Sequence, residues 1–280
     1  MASLFCVSMK LNPNPKGGRK SLSNHPSTTM GVKKIINWAH RGASGHVTEN
    51  TLLAFQQAVE MGADGIECDI RETRDGQLVI FHDATLKRMA NRSRAIEKST
   101  RAQLQQIHIC TETDTECHKE RIPELSQLFK TIKAPCQLNL EIKKAEPTKL
   151  LNQVYQHHAQ KQVLLSSFEG ALLSKIRSLD SEIAIGYLLD KGVTTATVKK
   201  AKEISVRSLH LNIKKITKKV IERVHGEGFQ VYAYTVDDLA SMAQLIDMGV
   251  DGLFTNYPDR LSQLLSGYPP LERKRGIGEL

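Results

Sequence analysis

Short apolar runs, each followed by a stretch of helical period, recur along most of the chain. Ile35 to His40 reads as a buried strand, and Gly42 starts the turn that ends it. From Asn50 to Met61, Leu52, Leu53, Phe55, Ala58 and Val59 fall at helical spacing, and Gly62 suits a helix stop. Asp64 to Arg71 reads as a second strand, on which Glu67 and Asp69 share a face because side chains alternate. The turn signal Asp75-Gly76 leads into a third short strand, Gln77 to His82.

Arg88 to Arg121 is polar and carries no sustained period, so residues 84–122 read as an insertion over one end of the domain. Pattern resumes at Ile122-Pro123-Glu124-Leu125, where proline suits the first turn of a helix. Cys136 to Lys143 is a clear strand that Pro147 closes. Leu138, Leu140 and Ile142 lie on one face; Asn139, Glu141 and Lys143 lie on the other, an alignment that would normally mean a solvent-facing edge. Strands at Val163–Phe168, Ile183–Leu188, Ser208–Asn212, Gln230–Thr235 and Asp251–Asn256 then alternate with helices at Ala171–Leu179, Thr194–Ile204, Ile216–Glu227, Asp237–Met248 and Pro258–Leu265.

Eight strand-helix units in about 250 residues imply a closed parallel sheet, an α/β fold of the (β/α)8 or TIM-barrel type with a small insertion after the second unit. The barrel is expected over residues 31–268, with a C-terminal tail at 269–280. Sites in such barrels lie at the carboxyl ends of the strands. His40, Glu67, Asp69, Glu141, Lys143, Phe168, Asn212, Tyr234 and Asn256 would all sit at or near that end.

The net charge is +9, and it is unevenly spread. Residues 1–48 contain no acidic residue, and Leu11 to Met30 is rich in Pro, Asn, Ser, Thr, Gly and Lys. Residues 1–30 therefore read as a disordered leader or as a misassigned start. The composition also suits a transit peptide; translation from Met30 is the favoured reading. A second basic zone, Lys191 to Arg223, reads as solvated helix faces, with attraction of anionic substrates or membrane surfaces as the alternative. No aromatic platform or binding motif accompanies the charge, which argues against nucleic acid. No apolar run approaches spanning length, so no stable membrane insertion is expected. The five cysteines lack regular pairing, which suits a reducing, cytoplasmic location. His108, Cys110, Cys117 and His118 fit no common zinc spacing.

Chemistry follows if the strand ends converge. Glu67, Asp69 and Glu141 would repel one another unless a cation were present, and hard carboxylate oxygens suit Mg2+ or Ca2+ rather than zinc. Such a cation beside Arg41 and Lys143 would neutralise phosphate oxygens. Two histidines, His40 and His82, would supply one proton acceptor and one donor, as cleavage of a phosphodiester requires.

These residues resemble a family signature. His40-Arg-Gly, Glu49-Asn-Thr, Glu67-Cys-Asp69, Thr73-Arg-Asp-Gly76 and His82-Asp83 are similar to the motifs of glycerophosphodiester phosphodiesterases. The likeness continues in Glu141-Ile-Lys143, Ser166-Ser-Phe168, Gly249-Val-Asp-Gly252 and Thr255-Asn-Tyr-Pro258. It covers roughly residues 35–265. It implies a barrel with an insertion that hydrolyses small glycerophosphodiesters to sn-glycerol 3-phosphate and an alcohol with a divalent metal. By motif position it makes Glu67, Asp69 and Glu141 the metal ligands and His40 and His82 the acid–base pair, with either histidine in either role. Arg41 and Lys143 would bind phosphate, and Phe168 and Tyr234 would contact the substrate.

Two positions depart from the family pattern. Tyr234-Thr-Val-Asp237 stands where Trp-Thr-Val-Asn is common, and Asn256 stands where Asp precedes Tyr-Pro. Both are expected to bear on substrate preference and to leave the metal and proton chemistry alone. Phospholipases C and sphingomyelinases D resemble the same site, but no apolar lipid-inserting loop is evident here. A catalytically silent binding barrel is the other alternative; loss of a histidine or carboxylate would mark it, and all are present. The sequence leaves head-group preference and oligomeric state open.

Overall fold

The computed structural model describes residues 34–267. The expectations for the leader and for the C-terminal tail fall outside them. Beginning the fold are β1 (Ile36–His40), α1 (Leu52–Glu60), β2 (Gly65–Glu72) and β3 (Leu78–Ile80). The insertion contributes α2 (Lys87–Ala90), α3 (Arg101–Leu104), β4 (His108–Ile109) and β5 (Glu120–Arg121). Then come α4 (Leu125–Thr131), β6 (Gln137–Lys144), α5 (Pro147–Gln156), β7 (Val163–Ser167), α6 (Gly170–Leu179), β8 (Ala184–Leu189) and α7 (Thr195–Ile204). The chain continues with β9 (Ser208–Asn212), α8 (Lys218–Gly226), β10 (Gln230–Tyr234), α9 (Leu239–Met248), β11 (Gly252–Thr255) and α10 (Pro258–Gly267).

Eight parallel strands close in the order β1-β2-β6-β7-β8-β9-β10-β11, with β11 returning to β1, while β3 adds antiparallel to the end of β2. Each barrel strand presents one face to the surrounding helices. Ala39, Ile66, Cys68, Leu138, Leu140, Leu165, Leu209, Val231 and Leu253 are all buried in that outer core. The opposite face points into the barrel. There Trp38, Leu164, Ala184, Tyr232 and Phe254 form a separate apolar plug, with Trp38 stacked on Phe254 at 5.7 Å. The plug fills the interior beneath the carboxyl ends of the strands, and so gives the barrel a floor.

This closure decides which face of β6 is enclosed. Asn139, Glu141 and Lys143 do not face solvent from a sheet edge; β6 pairs with β2 and β7, and Asn139 and Glu141 are buried in the barrel. Period 2 separates two faces of a strand but does not say which is enclosed. Two prolines also differ from their reading. Pro123 precedes the N-cap residue Glu124, whose box with Gln127 starts α4. Pro147 occupies the first turn of α5, a helix absent from the pattern reading, which buries Leu150, Leu151 and Val154.

The insertion opens between β2 and α4. Its apolar residues are irregularly spaced because the chain keeps changing direction, yet Val79, Phe81, Leu86, Met89, Ile96, Leu104, Ile107, Ile109 and Ile122 gather into one core. The insertion is tied to the barrel mouth by Thr48 Oγ1 donating to Asp114 Oδ2 (2.6 Å) and Thr113 Oγ1 donating to the Ser44 carbonyl (3.0 Å).

Close packing of the plug makes a direct test of the barrel interior. A Cβ at Gly65 would lie 2.3 Å from Trp38 Cζ3. Gly65→Ala should therefore lower unfolding stability by about 1–3 kcal/mol, the usual cost of overpacking. Denaturant titration showing a change below about 0.5 kcal/mol would contradict this packing.

Candidate active site

The turn after β1 sets the first wall of the site. Arg41 adopts a left-handed conformation (φ 57°), and Gly42 follows at φ 80°. A Cβ on Gly42 would approach the Ala54 backbone to 2.7 Å, so glycine alone lets the turn lie against α1. In this turn the Arg41 N–H donates to Glu67 Oε2 (2.9 Å), and its guanidinium reaches Glu49 Oε1 (3.0 Å) and Asp69 Oδ2 (3.4 Å). The Glu49-Asn-Thr run thereby gains three distinct roles. Glu49 holds Arg41 and Arg88, Asn50 Nδ2 donates to Asp69 Oδ2 (2.8 Å), and Thr51 caps α1.

Glu67 and Asp69 from β2 and Glu141 from β6 come to one level of the barrel, each offering an oxygen within 4.8 Å of the others. All three are buried, and among the described residues Glu67 Oε1 has no hydrogen-bond partner. Lys143 pairs with Glu141 and lies 3.3 Å from Asp69 Oδ1. Burial, with Asp69 and Glu141 nearby, pushes the Glu67 pKa well above the usual carboxylate range. Burial and Asp69 likewise raise Glu141 to about 7 against the pull of Lys143. Asp69 is also pushed up by burial, but Arg41, Lys143, His82 and the Asn50 hydrogen bond outweigh that and lower it to about 2. The donor set is all oxygen, crowded and short of positive charge, so these residues fit a hard divalent cation.

The two histidines flank this group. His40 Nδ1 is 2.8 Å from Asn256 Oδ1, and its Nε2 is 3.9 Å from Glu67 Oε2. Asn256 Nδ2 donates to Asp237 Oδ2 (2.7 Å), which turns the amide oxygen toward His40. His40 Nδ1 must then carry the proton, leaving Nε2 with its lone pair. Burial and Arg41 lower the His40 pKa to about 4, so the ring is neutral at pH 7. The expectation that Asn256 leaves proton chemistry alone is therefore overturned: this side chain sets the tautomer of His40. His82 Nδ1 instead faces the Asp83 carboxylate at 2.7 Å, and Arg88 braces Asp83. Its pKa is lowered, chiefly by burial, with Asp69 and Asp83 working the other way.

His40, Arg41, Glu67, His82, Glu141, Lys143, Phe168 and Tyr234 all line one cavity of about 430 Å3, and Asp69 lies buried behind them. Phe168 and Tyr234 meet edge to face at 6.1 Å near its mouth, and Lys143 sits 5.9 Å over the Phe168 ring. Lys214 brings part of the second basic zone to the same cavity, and it is exposed, as are Lys199, Lys215, Lys218 and Lys219. Sequence reading assigned no role to Asp83, Asn139, Asp237 or His210. Asp83 follows a singled-out histidine and could have been found there; Asp237 acts on His40 through Asn256, a contact that spacing does not show.

Residues 40–260 match the model of the glycerophosphoryl diester phosphodiesterase family. A glycerophosphodiester phosphodiesterase of Caldanaerobacter subterraneus subsp. tengcongensis is 31% identical over 239 residues, covering 83% of this chain and 98% of that protein. An Oleispira antarctica phosphodiesterase, solved in complex with the product sn-glycerol-3-phosphate, superimposes with a TM-score of 0.78 at 28% identity, covering 84% and 97%. A lysophospholipase D of Rattus norvegicus is 24% identical over 273 residues, covering 81% and 85%.

The crowded carboxylates lead to a prediction that needs no turnover. Mg2+ or Ca2+ at 100 times its dissociation constant should stabilise the fold by about 2.7 kcal/mol. Glu67→Gln, which mimics the protonated side chain, should leave ion-free stability unchanged and abolish this gain. Because Glu67 and Glu141 bind protons more tightly than ordinary carboxylates, ion binding should release protons and weaken as pH falls through 7. Calorimetry in two buffers of different ionisation enthalpy reads the release; an undiminished ion effect in the variant would refute the assignment.

Proposed function

The chain belongs to the glycerophosphoryl diester phosphodiesterase family and is a phosphoric diester hydrolase, and from that premise we propose that it cleaves glycerophosphodiesters to sn-glycerol 3-phosphate and an alcohol. The observation that carries this reading is the meeting, in one cavity, of three buried carboxylates, two cationic side chains and two histidines each held through Nδ1. Glu67, Asp69 and Glu141 would hold the divalent cation. When bound, it supplies positive charge at the phosphate oxygens as the transition state becomes more anionic.

The remaining steps belong to the side chains. Arg41 and Lys143 orient the phosphate, and both are already aimed by carboxylates around it. His40, neutral and with Nε2 free, serves as the proton acceptor. His82, paired with a carboxylate that favours its charged form, serves as the donor to the departing alcohol. Phe168 and Tyr234 wall the substrate. Among the described residues the large exposed apolar side chains are Val59, Tyr155, Phe168, Leu179 and Leu239, and Phe168 alone of these lines the cavity. That distribution favours a water-soluble diester over a membrane lipid.

Release of sn-glycerol 3-phosphate from glycerophosphocholine tests the reading. Chelation should abolish turnover, and Mg2+ or Ca2+ should restore it; full activity in excess chelator would contradict the metal role. His40→Ala and His82→Ala should each lower turnover by roughly 10²–10⁴-fold. A nitrophenyl ester, whose leaving group needs little protonation, should rescue His82→Ala and leave His40→Ala impaired. Rescue of both, of neither, or of His40→Ala alone would refute this division of roles.

A further inference from the structure

Beneath the carboxylates the cavity ends on polar groups that the phosphate chemistry leaves unused. His210 on β9 lines the cavity and has no exposed surface. Its ring lies between Tyr232 and Phe254, at centroid distances of 5.3 and 5.1 Å. Nε2 is 2.9 Å from Ser208 Oγ, and among the described residues Nδ1 has no partner. Burial lowers the His210 pKa to about 3, so the ring is neutral, with one nitrogen a donor and the other an acceptor. Whichever role the Ser208 contact selects for Nε2, one hydrogen-bonding capacity at Nδ1 stays unmet. Asn139 on β6 lines the same cavity at 1% exposure, and its Oδ1 is likewise without a partner among the described residues.

Orphaned polar atoms are rare inside proteins because burial strips them of water. Beyond Arg41 Nε and Glu67 Oε1, which belong to the phosphate and cation groups, these two on the same cavity wall mark places that a bound group completes. The packing also makes room for the ring. A Cβ on Gly186 would fall 2.5 Å from His210 Nε2 and 2.6 Å from Cε1, so glycine at that strand position keeps the imidazole in place.

The direction of the substrate follows from the shape of the barrel. On the phosphodiesterase reading Arg41, Lys143 and a cation on the carboxylates would hold the phosphate at the strand ends, and the plug residue Phe254 also lines the cavity. A leaving alcohol of variable size needs the open mouth. The closed floor suits the half of the substrate that stays the same. We propose that His210 and Asn139 bind the hydroxyls of the retained glycerol unit, with His210 Nδ1 the specificity-determining contact that separates glycerol phosphodiesters from analogues lacking a hydroxyl. This rests on the phosphodiesterase reading above.

The test compares glycerophosphocholine with its two deoxy analogues, the phosphocholine diesters of propane-1,3-diol and propane-1,2-diol. A site that hydrogen-bonds a substrate hydroxyl rejects the analogue without it, so the wild-type enzyme should turn over at least one analogue roughly 100-fold less well in kcat/KM. His210→Phe, which keeps a planar ring in the aromatic nest, should lose 10–100-fold on glycerophosphocholine and little on that analogue. Inhibition by sn-glycerol 3-phosphate should weaken to a similar degree, while inhibition by inorganic phosphate stays constant. His210→Asn, smaller and still polar, provides a second variant should the first fail to fold, and it should recover part of the selectivity. Equal loss on both substrates, or unchanged inhibition by sn-glycerol 3-phosphate, would show a structural role and overturn the proposal. Wild-type turnover of both analogues as fast as of glycerophosphocholine would overturn it without any variant. No turnover of any of the three would instead bring down the phosphodiesterase reading itself.

Discussion

Three like charges at one level of a closed barrel are the constraint to which the rest of this site answers. Glu67, Asp69 and Glu141 are buried together, where each would cost several kcal/mol as an unpaired ion. The protein meets this partly by holding positive groups against them and partly through proton affinities at Glu67 and Glu141 that stand above the usual carboxylate range. The balance is incomplete: among the described residues Glu67 Oε1 has no partner, and the three carboxylates together could hold a cation. A fully paired set of carboxylates would make a more stable barrel and a poorer site.

The surrounding residues serve that arrangement from a distance. Arg41 reaches two of the carboxylates because it sits in a left-handed turn, and that turn exists because Gly42 lets it lie on α1. Glu49 neutralises Arg41 on its outer side and at the same time fastens Arg88 of the insertion. Arg71 Nε donates to the His82 carbonyl (2.9 Å), and Arg88 braces Asp83, so the second histidine is positioned by side chains on both sides. The insertion is therefore more than a cover. Its own apolar core gives the mouth of the barrel a rigid flank.

His40 and His82 are held in the same way through Nδ1, but by partners of different charge. An amide faces one and a carboxylate the other. Burial lowers the proton affinity of both rings, and of His40 to about 4, while Asp69 and Asp83 oppose it at His82. Environments of this kind let two chemically identical side chains take opposite roles in one reaction. The amide is Asn256, one of the two positions where the chain departs from the family pattern, so the departure bears directly on the histidine chemistry.

Much of this was readable from the amino-acid sequence, and the physical reason is local. Period-2 runs followed by helical period name the strands and helices whatever surrounds them, and eight such units leave few architectures open. Strand-end His, Glu and Asp residues were recognisable because barrels expose their carboxyl ends. Tertiary structure decided what depends on closure. It enclosed the polar face of β6 that alternation alone would assign to solvent. It gave the irregular apolar residues of the insertion a common core. It set Asn256 against His40, 216 residues apart in the chain, because β11 returns to pair with β1. It also left His210 with an unmet nitrogen, which no spacing could show, since a hydrogen bond is missing only relative to everything packed around it.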